Sequence, residues 1–486
     1  MYASFWIAAP FLFFSKIEAA AMSEKKKKRE SKSRKGAGDP ATTQVQLVPI
    51  IEFLHENLSE SLCELVFREV RDAERERKWS LFSLARFWTA VVLKAPPSLT
   101  QFLEEARGPD PLGFLPQVEA SSESFFTKCK AMSSKFFMAV YAHFVEKVLP
   151  KAPVRYARKF AALRKRFPEI QIIDASRLDK IAHRLKILWN EEAAVLPGCM
   201  TAVYDLFRGI ATEIWFDPDA ADSEFNRAVE ILPGLTEGSL VLGDRLYCSL
   251  QLFQILRENH SFGLFRRNRT ISFQKVRLLW KGEVNGDQVE DWLIVAGAEK
   301  KLELRLVVLQ RKGETYEAMT NDLDPEHLST KDIVQLYPWR WKIERLFFDL
   351  KEVLNLNKFY AANPNAVAMQ VYAAAILHVA FRIAQADIAQ QASIEPEEIS
   401  PKKLFPRLSL ISIAILEAEY WFDETCRLNP EVKLRKPNWR KHPRGTITLE
   451  SILVQKRSDE RKKKTFSEGR KKWTSFNNIE GGEELT

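Results

Sequence analysis

The chain has 486 residues, 46% of them hydrophobic and 28% charged, with a net charge of +9. That length allows about three domains and a core needing no disulfide or metal staple, and the composition excludes wholesale disorder or a collagen-like fibre. The basic balance favours a polyanionic partner. The five cysteines include no C-x-x-C pair and read as buried free thiols. No paired-histidine zinc spacing and no G-x-x-x-x-G-K-[ST] phosphate loop occurs.

Residues 1–44 read as an apolar leader followed by a basic disordered tail. The apolar run Phe5 to Phe14 is shorter than the ~20 residues a bilayer span needs and has no basic residue before it. Translation from Met22 is therefore expected, with Ser23–Lys35, eight of thirteen residues Lys or Arg, at the N-terminus. Residues 45–153 are expected to be helical, from the three-and-four spacing of Leu47, Ile50, Ile51 and Leu54 and of Leu81, Leu84, Phe87, Trp88 and Val91. Further helices are predicted at Ser121–Met132 and Ser134–Val148. This region is read as a DNA-end-binding domain; it carries no clear recognition-helix signature, and a plain packing domain fits the pattern as well.

Residues 154–268 read as α/β. Ile170–Asp174 is a buried strand ending in a carboxylate, Thr201–Phe207 and Thr212–Phe216 form a hairpin, and Glu224–Ile231 is helical. Ser239–Asp244 is a second apolar strand ending in Asp, Leu246–Glu258 a helix and Phe262–Phe265 a strand. Residues 269–321 alternate with period two, with turns at Asn285-Gly286 and Lys312-Gly313, a β-rich block. Residues 322–390 hold a helix from Ser329 to Leu356 and a very apolar helix at Ala366–Phe381, read as core because it contains Gln370 and His378. Residues 391–486 form a C-terminal helical and basic tail region, mostly disordered after Pro430.

On the Ser329–Leu356 helix, Tyr337, Arg340, Glu344 and Lys351 fall on one stripe at about 100° per residue, beside an apolar stripe of Leu336, Trp339, Ile343, Leu346, Phe347 and Leu350. A carboxylate flanked by cations and a phenol suits a site where Glu344 binds a cation and Arg340, Lys351 and Tyr337 contact phosphate. A solvated face with an Arg340–Glu344 pair fits the spacing equally well.

Tyr337 to Lys351 satisfies Y-x2-R-x3-E-x6-K at every fixed position. It resembles the signature of DDE transposases of the insertion-sequence-4 family. Ile172–Ser176 and Val241–Tyr247 resemble that family's two catalytic strands, and Thr320-Asn321 its pair ahead of the signature helix. One departure is Leu246, where many members carry Gly. The resemblance implies an RNase H-like core interrupted by a β-rich insertion and preceded by an all-α N-terminal domain. It implies Asp174, Asp244 and Glu344 as a metal-binding catalytic triad, with Asp179 and Asp205 the nearest rival carboxylates. The ions are expected to be two Mg²⁺, with Mn²⁺ as a substitute, because hard cations take carboxylate oxygens and such a pair activates water and stabilises the leaving oxygen.

The implied reaction is excision of an element from double-stranded DNA and joining of its 3′ ends to target DNA, in a homodimer that pairs the terminal inverted repeats. Hairpin formation in that scheme needs an aromatic for a flipped base; Tyr316 is the candidate, with Trp280 and Trp292 as alternatives. A bacterial, nucleoid-associated protein with no membrane partner is expected. The rival readings are an inactive transposase-derived DNA-binding protein and an RNase H-like nuclease without strand transfer.

Overall fold

The computed structural model describes residues 44–47, 53–54, 56–105, 120–178, 198–218, 224–297, 301–361, 363–409 and 446–454. The apolar leader, the basic runs of both termini, Cys426 and the rival Asp179 lie outside the described residues.

The helical pattern expected from Val45 opens instead with a strand, β1 (Gln44–Gln46), paired antiparallel with residues 446–448 from the far end of the chain. So short a strand is set by its partner, which local periodicity cannot reveal. Helices α1 (Glu60–Val70), α2 (Leu81–Lys94), α3 (Leu99–Glu105), α4 (Ser122–Ala131) and α5 (Ser134–Val148) follow. Ser59, Ser80, Ser121 and Ser133 cap four of them, each accepting a bond from a first-turn N–H that the helix leaves unpaired.

The centre is a mixed sheet. Strands β2 (Ile170–Arg177), β3 (Cys199–Asp205) and β4 (Ile210–Asp217) run antiparallel. After α6 (Glu224–Ile231), β5 (Leu240–Gly243) lies parallel to β2, and after α7 (Leu250–Glu258), β6 (Phe262–Arg266) lies parallel to β5. Helix α7 starts four residues later than predicted, because Asp244 accepts a bond from Leu246 N in a turn and Ser249 then caps the helix.

The β-rich block is a meander of β7 (Phe273–Val284), β8 (Asp287–Ala296), β9 (Leu302–Arg311) and β10 (Glu314–Thr320). It does not stand apart: β10 pairs with β6, giving one nine-stranded sheet in the order β4-β3-β2-β5-β6-β10-β9-β8-β7. Its hairpins turn where predicted. Asn285 and Gly286 have φ of 55° and 89°, and Lys312 and Gly313 have 48° and 82°, the doubly left-handed pattern of a tight type I′ hairpin. The alternation expected across Ile271, Phe273, Val276 and Leu278 fails at the edge: Ile271 precedes β7, two bulges interrupt the strand, and Val276 and Leu278 are exposed.

The predicted single helix from Ser329 to Leu356 changes pitch three times. It runs as α8 (Thr330–Leu336), a 3₁₀ turn at Tyr337–Trp341, α9 (Lys342–Phe348) and a π turn at Asp349–Val353. Pro338 is the local cause of the first change, since it lacks the N–H that would continue the α ladder. Asn363 then caps α10 (Pro364–Gln391), with α11 at residues 401–409 and β11 at Thr446–Thr448. Helix α10 is long and apolar enough to cross a membrane, yet its most apolar window is wholly buried. It packs on α5, α2, α4 and β4, as the core reading of its sequence expected.

Period-two alternation divides the sheet's side chains. Ile170, Ile172, Leu240 and Leu242 join the large core of α10, Ile343 and Leu346. Ile173, Val203, Val241 and Phe265 face the core built on α6 and α7. The sheet is thus covered on both sides, as the unbroken apolar run of its parallel strands requires.

Candidate active site

The parallel register places Ile170 beside Leu240 and Ile172 beside Leu242. Two residues further on each strand come Asp174 and Asp244, neighbours by the same register and on the face that the signature segment covers. The carboxyl ends of parallel strands, where the chain leaves the sheet, are the usual position for a site.

The signature segment brings its side chains to this edge. Arg340 donates to Asp174 Oδ2 at 3.0 Å and to Glu344 Oε1 at 3.0 Å. Its guanidinium therefore bridges a strand-end carboxylate and a helix carboxylate. The pitch change preserves the alignment: Tyr337 and Arg340 superpose on a three-residue turn, and Arg340 and Glu344 on a four-residue turn. The wider π turn then swings Lys351 off the stripe. Lys351 is buried, and its ammonium donates to Ser176 Oγ and the Arg177 carbonyl at the end of β2. Tyr337 donates to the Gly243 carbonyl at 3.1 Å, one residue before Asp244. Of the expected solvent-facing cationic stripe, then, only the Tyr337–Arg340–Glu344 alignment is present. Lys351 and Tyr337 spend their donors on the two strands that carry the aspartates, and Arg340 is 11% exposed.

Burial pushes the Asp174 carboxyl up to about 7; Arg340 opposes the shift, and the charges of Asp244 and Glu344 add to it. Glu344 is also raised, by burial first, against the pull of Arg340. Burial works against charge on Arg340, and Tyr337, Asp174, Glu344 and Asp244 hold that charge in place. The three acids thus feel one another through a low-dielectric edge with one guanidinium among them. Among the described residues, no group of three or more His, Cys, Asp or Glu side chains is close enough to share an ion. The donor chemistry nevertheless fits a hard divalent cation: oxygen ligands only, and acids that lack full compensation.

Asp205, the rival carboxylate, is accounted for structurally. It is buried, and it accepts from Phe207 N and Arg208 N at 2.7 and 2.8 Å and pairs with the Arg208 guanidinium, closing the β3–β4 hairpin. Leu246 is not among the positive-φ residues, so the turn after Asp244 does not require the family's Gly. Tyr316 is half-buried on β10, its hydroxyl bonded to Glu314. The Trp292 ring is covered by Lys275, and the Trp280 ring packs towards the core. Sequence reasoning missed Tyr247 and Glu224, whose charges and polar groups reach the same edge. Only the sheet's topology brings them there, and no spacing in the chain signals it.

Residues 168–380 match the family model described as the transposase DDE domain. Two curated relatives overlap in part. The chain is 27% identical over 163 residues to "Putative transposase for insertion sequence element IS4SA" of Synechocystis sp., covering 32% of this chain and 44% of that relative. It is 29% identical over 198 residues to "Putative transposase y4zB" of Sinorhizobium fredii, covering 36% of this chain and 54% of that relative. These matches support a DDE transposase family. The alignments span about half the length of those relatives. A solved piggyBac transposase synaptic complex with hairpin DNA covers 85% of this chain and 86% of its own, at 11% identity and a TM-score of 0.35, a likeness too low to carry an argument.

Proposed function

We propose that the chain is a DNA transposase of the insertion-sequence-4 type, built on an RNase H-like core with Asp174, Asp244 and Glu344 as its catalytic acids. The observation that carries this reading is the Arg340 bridge between Asp174 and Glu344 at the strand end next to Asp244. The strand order supports the core assignment: three antiparallel strands followed by two parallel ones, in the order third-second-first-fourth-fifth.

In this reading the three carboxylates hold Mg²⁺, which when bound supplies a Lewis acid for phosphoryl oxygens and lowers the cost of ionising water. Arg340 orients two carboxylates and offers its charge to a phosphodiester. Lys351 and Tyr337 act as positioning residues, fixing the ends of β2 and β5 through Ser176, Arg177 and Gly243. Tyr316 is the proposed stacking partner for a flipped base; the Arg266 charge reaches both Tyr316 and Tyr337, which sets β10 beside the signature segment. The helices of residues 45–153 are assigned to binding element ends, and a dimer in the bacterial cytoplasm to pairing them.

The test is incubation of the protein with candidate end DNA, target DNA and Mg²⁺. Cleaved ends joined to target are expected, and Glu344→Ala should lose cleavage by about 10²–10³-fold or more while still binding ends. Cleavage by Glu344→Ala at the wild-type rate overturns the triad. Cut ends that are never joined would leave a nuclease.

A further inference from the structure

The edge formed by Asp174 and Asp244 has a second side. On the face opposite the signature segment, α6 begins at Glu224, and the turn after Asp244 carries Tyr247. The Tyr247 side chain is fully buried, with its ring 3.0 Å from where a Cβ on Gly243 would stand. Its hydroxyl has no hydrogen-bond partner. A buried donor left unmade costs about 1–3 kcal/mol, so such a group calls for an explanation. The acidic side chains whose charges reach this phenol are Asp174, Glu224 and Asp244. Glu224 is half-buried, and burial together with Asp244 makes it harder to ionise, with Arg177 the opposing cation. A fourth carboxylate and an unsatisfied donor therefore converge on an edge where three acids already repel one another.

We propose that Glu224 is a fourth carboxylate of the site, holding a divalent cation together with Asp244, and that Tyr247 is a positioning residue whose hydroxyl donates to one of these carboxylates once the cation draws them together. This rests on the cation-dependent reading of Asp174, Asp244 and Glu344. The cation offsets the mutual repulsion of the acids, and the phenol fixes which carboxylate oxygen remains free to ligate.

The full chain, without DNA, is titrated with Mn²⁺ by calorimetry and melted with and without the ion. Glu224→Gln should weaken Mn²⁺ binding about 10-fold or more. Its metal-free melting temperature should equal or exceed that of the wild type, since a repelling charge is gone. Tyr247→Phe should weaken Mn²⁺ binding by a smaller factor and raise metal-free stability, because the unpaired hydroxyl is removed. Wild-type affinity in Glu224→Gln overturns the proposal, as does a lower metal-free melting temperature in that variant or a wild-type chain that takes up no Mn²⁺. Unchanged affinity in Tyr247→Phe overturns the part assigned to Tyr247. A chain that cuts DNA while Glu224→Gln binds Mn²⁺ normally defeats this proposal alone. A chain that binds Mn²⁺ through Glu224 yet never cuts DNA defeats the transposase reading alone.

Discussion

Asp174 and Asp349 are carboxyls that water alone would leave fully ionised at neutral pH. Burial pushes the first up to about 7 and the second up to about 6, despite Arg340 beside one and Arg345 beside the other. Between about pH 4 and 7 the folded chain therefore keeps protons that the unfolded chain has released. Metal-free stability should fall as pH rises through that window and level off above it. Asp349, on the π turn and away from the acids of the site, allows a clean check. Asp349→Asn should gain up to about 3 kcal/mol at pH 8 relative to pH 4, read from urea unfolding in chelator at several pH values. Parallel curves for variant and wild type would refute it. At this scale Asp174 and Asp244 are legible in the sequence, because each ends an apolar run short enough to be a buried strand. Glu224 is not, because nothing in an amphipathic helix start separates one acid from another.

Between residues and the whole lies the signature segment, where local pattern reads best and geometry reads worst. The fixed spacing identifies Tyr337, Arg340, Glu344 and Lys351, and a uniform helix would place all four on one face. Pro338 and the π turn break that uniformity, and a π turn leaves no periodic trace in the sequence. The consequence is specific to Lys351, whose ammonium ties the π turn to the end of β2. Lys351→Ala should cost about 1–3 kcal/mol of stability, since it strands buried acceptors, and the loss should persist at high salt. A stability unchanged by the substitution, with DNA affinity that falls only at moderate salt, would instead mark a direct phosphate contact. The tight hairpins at Asn285-Gly286 and Lys312-Gly313 are the opposite case: their residues demand left-handed backbone, and the structure supplies it.

Across the whole molecule, the meander and the signature segment are joined by a buried ion pair. Arg305 on β9 and Asp291 on β8 are both 0% exposed. Arg305 also donates to the carbonyls of Asp322, Asp324 and Leu328 in the loop ahead of α8, and Thr330 at the start of α8 donates to Asp291. The β-rich block thus holds the N-terminal end of the segment that carries Arg340 and Glu344. Arg305→Met should cost about 3–5 kcal/mol, because Asp291 is left as an unpaired interior charge, and Asp291→Leu in the same chain should recover part of it. Denaturant melts of the single and double variants decide this, and equal losses would show that the pair itself carries nothing. No alternation in residues 269–321 announces the bond, because a charge at an inward position looks like an error of pattern until its partner is known.

Nine strands in one row leave two margins. At the β4 margin, α5 and α10 lie against the strand. At the other, β7 offers twelve residues of backbone with Val276 and Leu278 in the open, a template on which a stray extended chain could zip. Its two bulges spoil the flatness such growth needs, and Lys275, Arg277 and Lys281 repel an approaching copy of the same strand. The chain's solubility therefore rests on a handful of irregularities and positive charges at one rim, far from any chemistry.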